Sequence, residues 1–202
     1  MDGIEVVIPK RALTRKSQIA NHQSQIPVFT VGHSTRSLDE LIAALRAHHI
    51  QLLVDIRAFP MSRRLPHFNR ESLEKALPEN GIDYVWMKEL GGRRKRILQD
   101  SPNTGLRVDA FRHYADYMLT PEFKRAITEL LRLAAEKPTA IMCAERVYFH
   151  CHRMLVSDWL TAHGHQVLHI DATGPLRPHR PVAEFRLRDG DLIYDGGAEP
   201  LF

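Results

Sequence analysis

Apolar residues recur along this chain in two rhythms, and the alternation between them outlines the fold. Val28-Phe29-Thr30-Val31 is a short apolar run closed by Gly32, the pattern of a buried strand. Leu38, Leu41, Ile42 and Leu45 then fall at the helical spacing i, i+3, i+4 and i+7. Ser37 precedes them, and Glu40 sits at the distance where serine and glutamate cap each other's backbone N–H groups. Leu52 to Ile56 reads as a second strand. A strand, a helix and a strand in succession imply parallel pairing, because only a crossover brings the chain back to the starting edge.

The same alternation continues downstream. A Pro- and Arg-rich loop from Arg57 to Phe68 leads to Asn69, the expected N-cap of a short helix through Leu77 that Pro78 and Gly81 end. Ile82 to Met87 is a third strand, and Leu90-Gly91-Gly92 opens a flexible basic loop running to about Arg107. Phe111, Tyr114, Ala115 and Met118 mark another helix, and Thr120-Pro121 restarts the chain as N-cap and first helical residue. Phe123, Ile127, Leu130, Leu131 and Ala134 line the core face of the next helix. Thr139 to Cys143 is a fourth strand, Cys151 to His163 a helix stopped by Gly164, and Val167 to Ile170 a fifth strand. The pattern predicts an α/β fold in a single domain. Its sheet is mainly parallel, with about five strands and helices on both faces. The expected domain spans 27–174. A polar, basic extension (1–26, with a short strand at Glu5–Ile8) precedes it, and a Pro-rich tail (175–202) follows with β segments at Glu184–Leu187 and Leu192–Tyr194.

Composition leaves this picture intact. The 202 residues are 44% hydrophobic and 26% charged, enough to bury a full core without disulfides or metal. The net charge of +4 permits an anionic partner without demanding one. No apolar run approaches the roughly 20 residues of a membrane span, and the first residues lack a signal-peptide order. The expectation is a cytoplasmic protein with no membrane partner. Two cysteines, Cys143 and Cys151, are too few for a secreted disulfide framework.

The chemistry gathers where strands end, since ligands of parallel sheets bind beyond the carboxyl edge. The first strand ends in Gly32-His33-Ser34, the second in Asp55-Ile56-Arg57, and the fourth in Cys143-Ala144-Glu145. Cys151-His152-Arg153 opens the next helix, where a thiol beside cations loses its proton more readily. His33, Asp55, Cys143, Glu145, Cys151 and His152 are therefore the catalytic candidates, as nucleophile, acid or base. Arg57, Arg63 and Arg153 are candidates to hold an anion, because the planar guanidinium grips phosphate with two hydrogen bonds. The bland alternatives stay open: both cysteines as buried small residues, Asp55 as the ion-pair partner of a local arginine, and Arg93-Arg94-Lys95-Arg96 as a solvated loop. Gly91-Gly92 is not followed by the Gly-Lys-Ser/Thr of a phosphate loop. The cysteine and histidine spacing is not that of a zinc finger, and no metal ligand is assigned.

These segments occur together in one order. Thr30-Val31-Gly32-His33-Ser34, Asp55-Ile56-Arg57 with Pro60 and Ser62-Arg63, Leu90-Gly91-Gly92, Cys143-Ala144-Glu145 and Cys151-His152-Arg153 resemble the domain of unknown function 488 family from Val28 to Ile170. The resemblance implies a compact α/β domain and draws attention to the motif residues, but it implies no reaction and no cofactor. Three readings follow: an enzyme acting on a nucleotide, nucleic acid or other phosphate-bearing substrate; a non-catalytic nucleotide or nucleic-acid binding module; and a Cys/His metal-binding protein. They differ in whether carboxylates, arginines or thiols carry the function. Oligomeric state is not legible.

Overall fold

A computed structural model describes residues 26–181 and 185–196. The strand expected at Glu5–Ile8 and the start of the one expected at Glu184 lie outside these residues. Five parallel strands form the sheet: β1 (Val28–Gly32), β2 (Leu52–Asp55), β3 (Asp83–Trp86), β4 (Thr139–Cys143) and β5 (Val167–Ile170). A sixth, β6 (Arg177–Pro178), pairs antiparallel with β5, so the spatial order is β3-β2-β4-β1-β5-β6. The sequence reading of about five strands omitted β6 because two residues, one of them proline, carry no strand rhythm. Proline is tolerated there because β6 lies at the sheet edge. A separate hairpin joins β7 (Arg186–Arg188) to β8 (Asp191–Ile193).

Helices cover both faces. Helix α1 (Leu38–Ala47) and helix α2 (Arg70–Glu79) bury Leu41, Leu45, Leu73 and Leu77 against Val31, Leu53, Ala140 and Met142. Helices α3 (Asp109–Met118), α4 (Pro121–Glu136) and α5 (Arg153–Ala162) bury Tyr114, Phe123, Leu130 and Leu155 against Val28, Val54, Ile56 and Ile141. The period-two alternation along each strand thus feeds two separate cores. No helix among the described residues is long and apolar enough to cross a membrane.

Local signals set several boundaries. The Ser37 hydroxyl accepts from the Glu40 N–H at 3.1 Å and the Glu40 carboxylate accepts from the Ser37 N–H at 2.7 Å. Thr120 caps α4 by accepting from the Phe123 N–H. Asn69 occupies the N-cap position of α2, but its side chain accepts from the Ser62 N–H at 2.6 Å instead. It ties down the preceding loop rather than the helix. Helix α2 also runs through Pro78 to Glu79, past the predicted stop, with Pro78 forgoing its own bond to the carbonyl four residues back so close to the helix end that only Glu79 follows it. Beyond residue 174, Leu192 and Tyr194 are buried in the α3–α5 core.

Candidate functional site

The strand order makes β2, β4 and β1 adjacent, and their register aligns their ends. Gly32 pairs with Cys143 and Asp55 with Met142. The three polar clusters therefore share one rim at the carboxyl edge of the sheet. Gly32 is needed for this alignment, since a Cβ there would lie 1.9 Å from the Glu145 carbonyl oxygen. The close approach lets His33 N–H donate to Cys143 O at 3.1 Å and Ser34 N–H to Ala144 O at 2.8 Å.

One corner of the rim is built from Asp55, Arg57 and His33. Asp55 is fully buried and accepts from the Arg57 N–H at 3.0 Å, from Arg57 Nε at 2.9 Å and from Tyr84 OH at 2.7 Å. Arg57 Nη2 donates to Asp55 and to Phe68 O, and Nη1 donates to His33 Nε2 at 3.3 Å. The His33 Nδ1–H is already committed to Ser34 O at 2.9 Å, so Nε2 is the acceptor. Burial and the Arg57 charge hold the His33 imidazole neutral, with its pKa lowered to about 4. Burial opposes the charge on Arg57, but the Asp55 carboxylate outweighs it and raises the guanidinium pKa. Burial and the same carboxylate push the Tyr84 hydroxyl up.

The other corner is built from Cys143, Cys151 and His152, all buried where β4 ends and α5 begins. Cys143 Sγ, Cys151 Sγ and a ring nitrogen of His152 lie within 4.8 Å of one another. His152 Nε2–H donates to Ile56 O at 3.0 Å, which leaves the Nδ1 lone pair facing Cys143 Sγ at 3.8 Å. Burial lowers the His152 pKa to about 4, so the ring is neutral. The Cys151 sulfur accepts from the Arg153 N–H and from Arg153 Nε, each at 3.4 Å. A hydrogen bond from Cys143 and the Arg153 charge lower the Cys151 thiol against the pull of burial, while Cys143 is raised and keeps its proton.

Arg153 is itself a buried hub. It donates to the Glu145 and Arg146 carbonyls and, through Nη1, to Thr30 Oγ1 at 3.1 Å. Because the Asp158 carboxylate at the far end of the run only accepts, the protons between two neutral imidazoles are fixed back from it to Thr30. Thr30 donates to His169 Nδ1 at 2.7 Å, His169 Nε2–H to His179 Nδ1 at 2.9 Å, and His179 Nε2–H to Asp158 at 2.8 Å. Tyr194 OH closes the run on the second Asp158 oxygen at 2.7 Å. Burial, then the neighbouring His179, lowers His169 to about 3. Thr30, Asp158, His169, His179 and Tyr194 escaped the sequence reading. The available signal was a histidine on the apolar strand Val167-Leu168-His169-Ile170, in phase with buried Val167.

A cleft of about 570 Å³ opens over the second corner. Cys143, Cys151 and His152 lie in its floor, and Glu145, His150 and Arg93 stand around it with Phe59, Met61 and Phe111. Phe59 and Met61 are 66% and 80% exposed at the mouth, with the Arg93 guanidinium 5.7 Å from the Phe59 ring centre. Glu145 is exposed. Arg57 reaches the wall, but Arg63 is exposed and not among the lining residues. The basic run divides: Arg93 lines the cleft, while Arg94 stacks 3.6 Å from the Tyr117 ring centre and donates to Gly91 O. Gly92 packs on His152, where a Cβ would lie 2.3 Å from Nδ1. The arrangement offers sulfur and nitrogen lone pairs below, and a free carboxylate and a cation above.

Residues 37–160 match the model of the family described as Domain of unknown function DUF488. No curated protein and no solved structure matches the chain.

Proposed function

Because the chain belongs to the Domain of unknown function DUF488 family, whose description assigns no chemistry, we propose a function from the cleft itself: an enzyme acting on a phosphate-bearing substrate, a nucleotide or a nucleic-acid end. The observation that carries this reading is the pairing of a reactive floor with a cationic, aromatic mouth. Cys143, Cys151 and His152 are the floor, and Arg93 with Phe59 is the mouth. An exposed ring beside a guanidinium suits a base and its phosphate, by stacking and by charge. Glu145, exposed above the floor, is the group that moves protons.

The other candidates take supporting roles in this reading. Asp55 and His33 orient Arg57, and their lone pairs facing it are occupied. Arg153 spends its donors on Cys151, Thr30 and two carbonyls, so it fixes the floor rather than gripping substrate. Anion binding falls to Arg93.

Turnover of a panel of nucleotides and short oligonucleotides by Glu145→Gln and Cys151→Ser tests the reading. Each variant is expected to lose about 100-fold or more in rate, the usual scale for an acid–base group, with Glu145→Gln folding normally. Wild-type rates in both variants overturn it. Ligand binding without turnover by the wild type assigns the cleft to a binding module instead.

A further inference from the structure

We propose that Cys143, Cys151 and His152 form a Zn2+ site with one coordination position open to the cleft. The inference deepens the reading above by naming the cofactor of the same floor, but the site stands on its own donors.

Three observations carry it. The first is spacing. Tetrahedral zinc with ordinary Zn–S and Zn–N lengths sets its sulfur and nitrogen ligands about 3.6 Å apart, and Cys143 Sγ lies 3.8 Å from His152 Nδ1. Cys151 Sγ completes the triangle within 4.8 Å. The second is orientation. A metal-binding histidine donates its other ring N–H to a fixed acceptor, which settles the tautomer and aims the lone pair. His152 does this through Nε2–H to Ile56 O at 3.0 Å, which turns the Nδ1 lone pair toward Cys143 Sγ. The third is the surrounding shell. Arg153 places two N–H groups at 3.4 Å from Cys151 Sγ, the hydrogen bonding expected around a ligating thiolate.

The donor set selects the ion. Two sulfurs and an imidazole suit borderline-soft zinc and disfavour magnesium or calcium, which take oxygen. Two thiolates also neutralise the dication, which matters in a buried floor beside Arg153. Three protein ligands facing a cleft follow the pattern of catalytic rather than structural zinc, in which the fourth position holds water or substrate. A bound ion would supply an activated water or polarise a phosphoryl oxygen there.

The test is metal analysis of the full chain, purified under reducing conditions without chelator and then offered Zn2+ or Co2+. One equivalent per chain is expected, together with the near-ultraviolet thiolate-to-cobalt band of a tetrahedral site. Cys143→Ser and Cys151→Ser are expected to lose most of the uptake. Because these variants can fail to fold, the wild type carries a second readout. Both thiols should resist a thiol reagent in the zinc-loaded protein and react after chelation. No stoichiometric uptake by the folded wild type overturns the site, as does unchanged uptake in both variants. Turnover by a wild type that takes up no metal refutes the zinc and leaves the enzyme reading standing. Stoichiometric zinc without turnover does the reverse.

Discussion

Two corners of one rim, a few residues apart, solve opposite problems. Around Asp55, Arg57 and His33, the hydrogen bonds close on themselves: carboxylate on guanidinium, guanidinium on imidazole, imidazole on a backbone carbonyl. Around Cys143, Cys151 and His152, the His152 and Arg153 N–H groups are committed to fixed acceptors, while two sulfurs and an imidazole nitrogen lie together beside a cleft with a single thiol proton shared among them. Both corners are rich in residues that enzymes use, so residue type does not separate them. What separates them is whether electron pairs remain unspent after the local partners are counted. In the reading proposed above, the closed corner serves the fold and the open one is left for a ligand.

The largest effect that would break this contrast belongs to the closed corner. Asp55→Ala leaves Arg57 buried without its carboxylate, and removing one partner of a buried pair costs about 3–5 kcal/mol. Chemical denaturation should show that loss, and Arg57→Met added to Asp55→Ala should recover part of it. If Asp55→Ala unfolds at the wild-type denaturant midpoint, the closed corner is not what holds this rim.

An effect smaller at any one pH step concerns the polar run behind Arg153. The His169 imidazole has its pKa lowered to about 3 from an ordinary 6.5. The unfolded chain therefore takes up this proton first. Stability from His169 is complete above pH 6.5 and is lost as pH falls toward 3, at no more than about 1.4 kcal/mol per pH unit. Denaturation at successive acid steps should give a shallower slope for His169→Gln than for the wild type. Equal slopes would remove the neutral imidazole from the account.

The smallest effect is at Arg63, which is exposed and off the cleft. Arg63→Ala should change stability by less than about 0.5 kcal/mol and leave turnover and metal uptake unchanged. A marked loss of either would mean that the functional surface extends beyond the open corner.

Much of the fold is legible because its signals are local. Ser37 with Glu40, and Thr120 with Pro121, carry their helix starts within one turn. The shared rim is legible too, since parallel strands must end on one edge. Asn69 shows the limit: its position in the cap follows from sequence, but the partner it takes, Ser62 N–H, depends on how the loop folds back. The division of labour at the rim is harder still. Arg57 and Arg153 read as anion grips because their internal partners are invisible in one dimension. Thr30 meets Arg153 across 123 positions and His169 across 139. No spacing rule reaches that far, so a buried run of five polar groups leaves only an odd histidine in an apolar strand as its trace.

That run also bears on how the chain tolerates trimming. The family match stops at residue 160, which invites a shorter version of the protein ending there, inside α5 and before β5. Such a cut would keep Asp158 and every motif residue, yet it would remove His169, His179 and Tyr194. A carboxylate in the core would then face the space its three-residue escort had filled, and Arg153 would lose the chain of contacts that steadies it from behind. The stretch from His169 to Tyr194 is thus part of the packing behind Arg153 rather than an appendage.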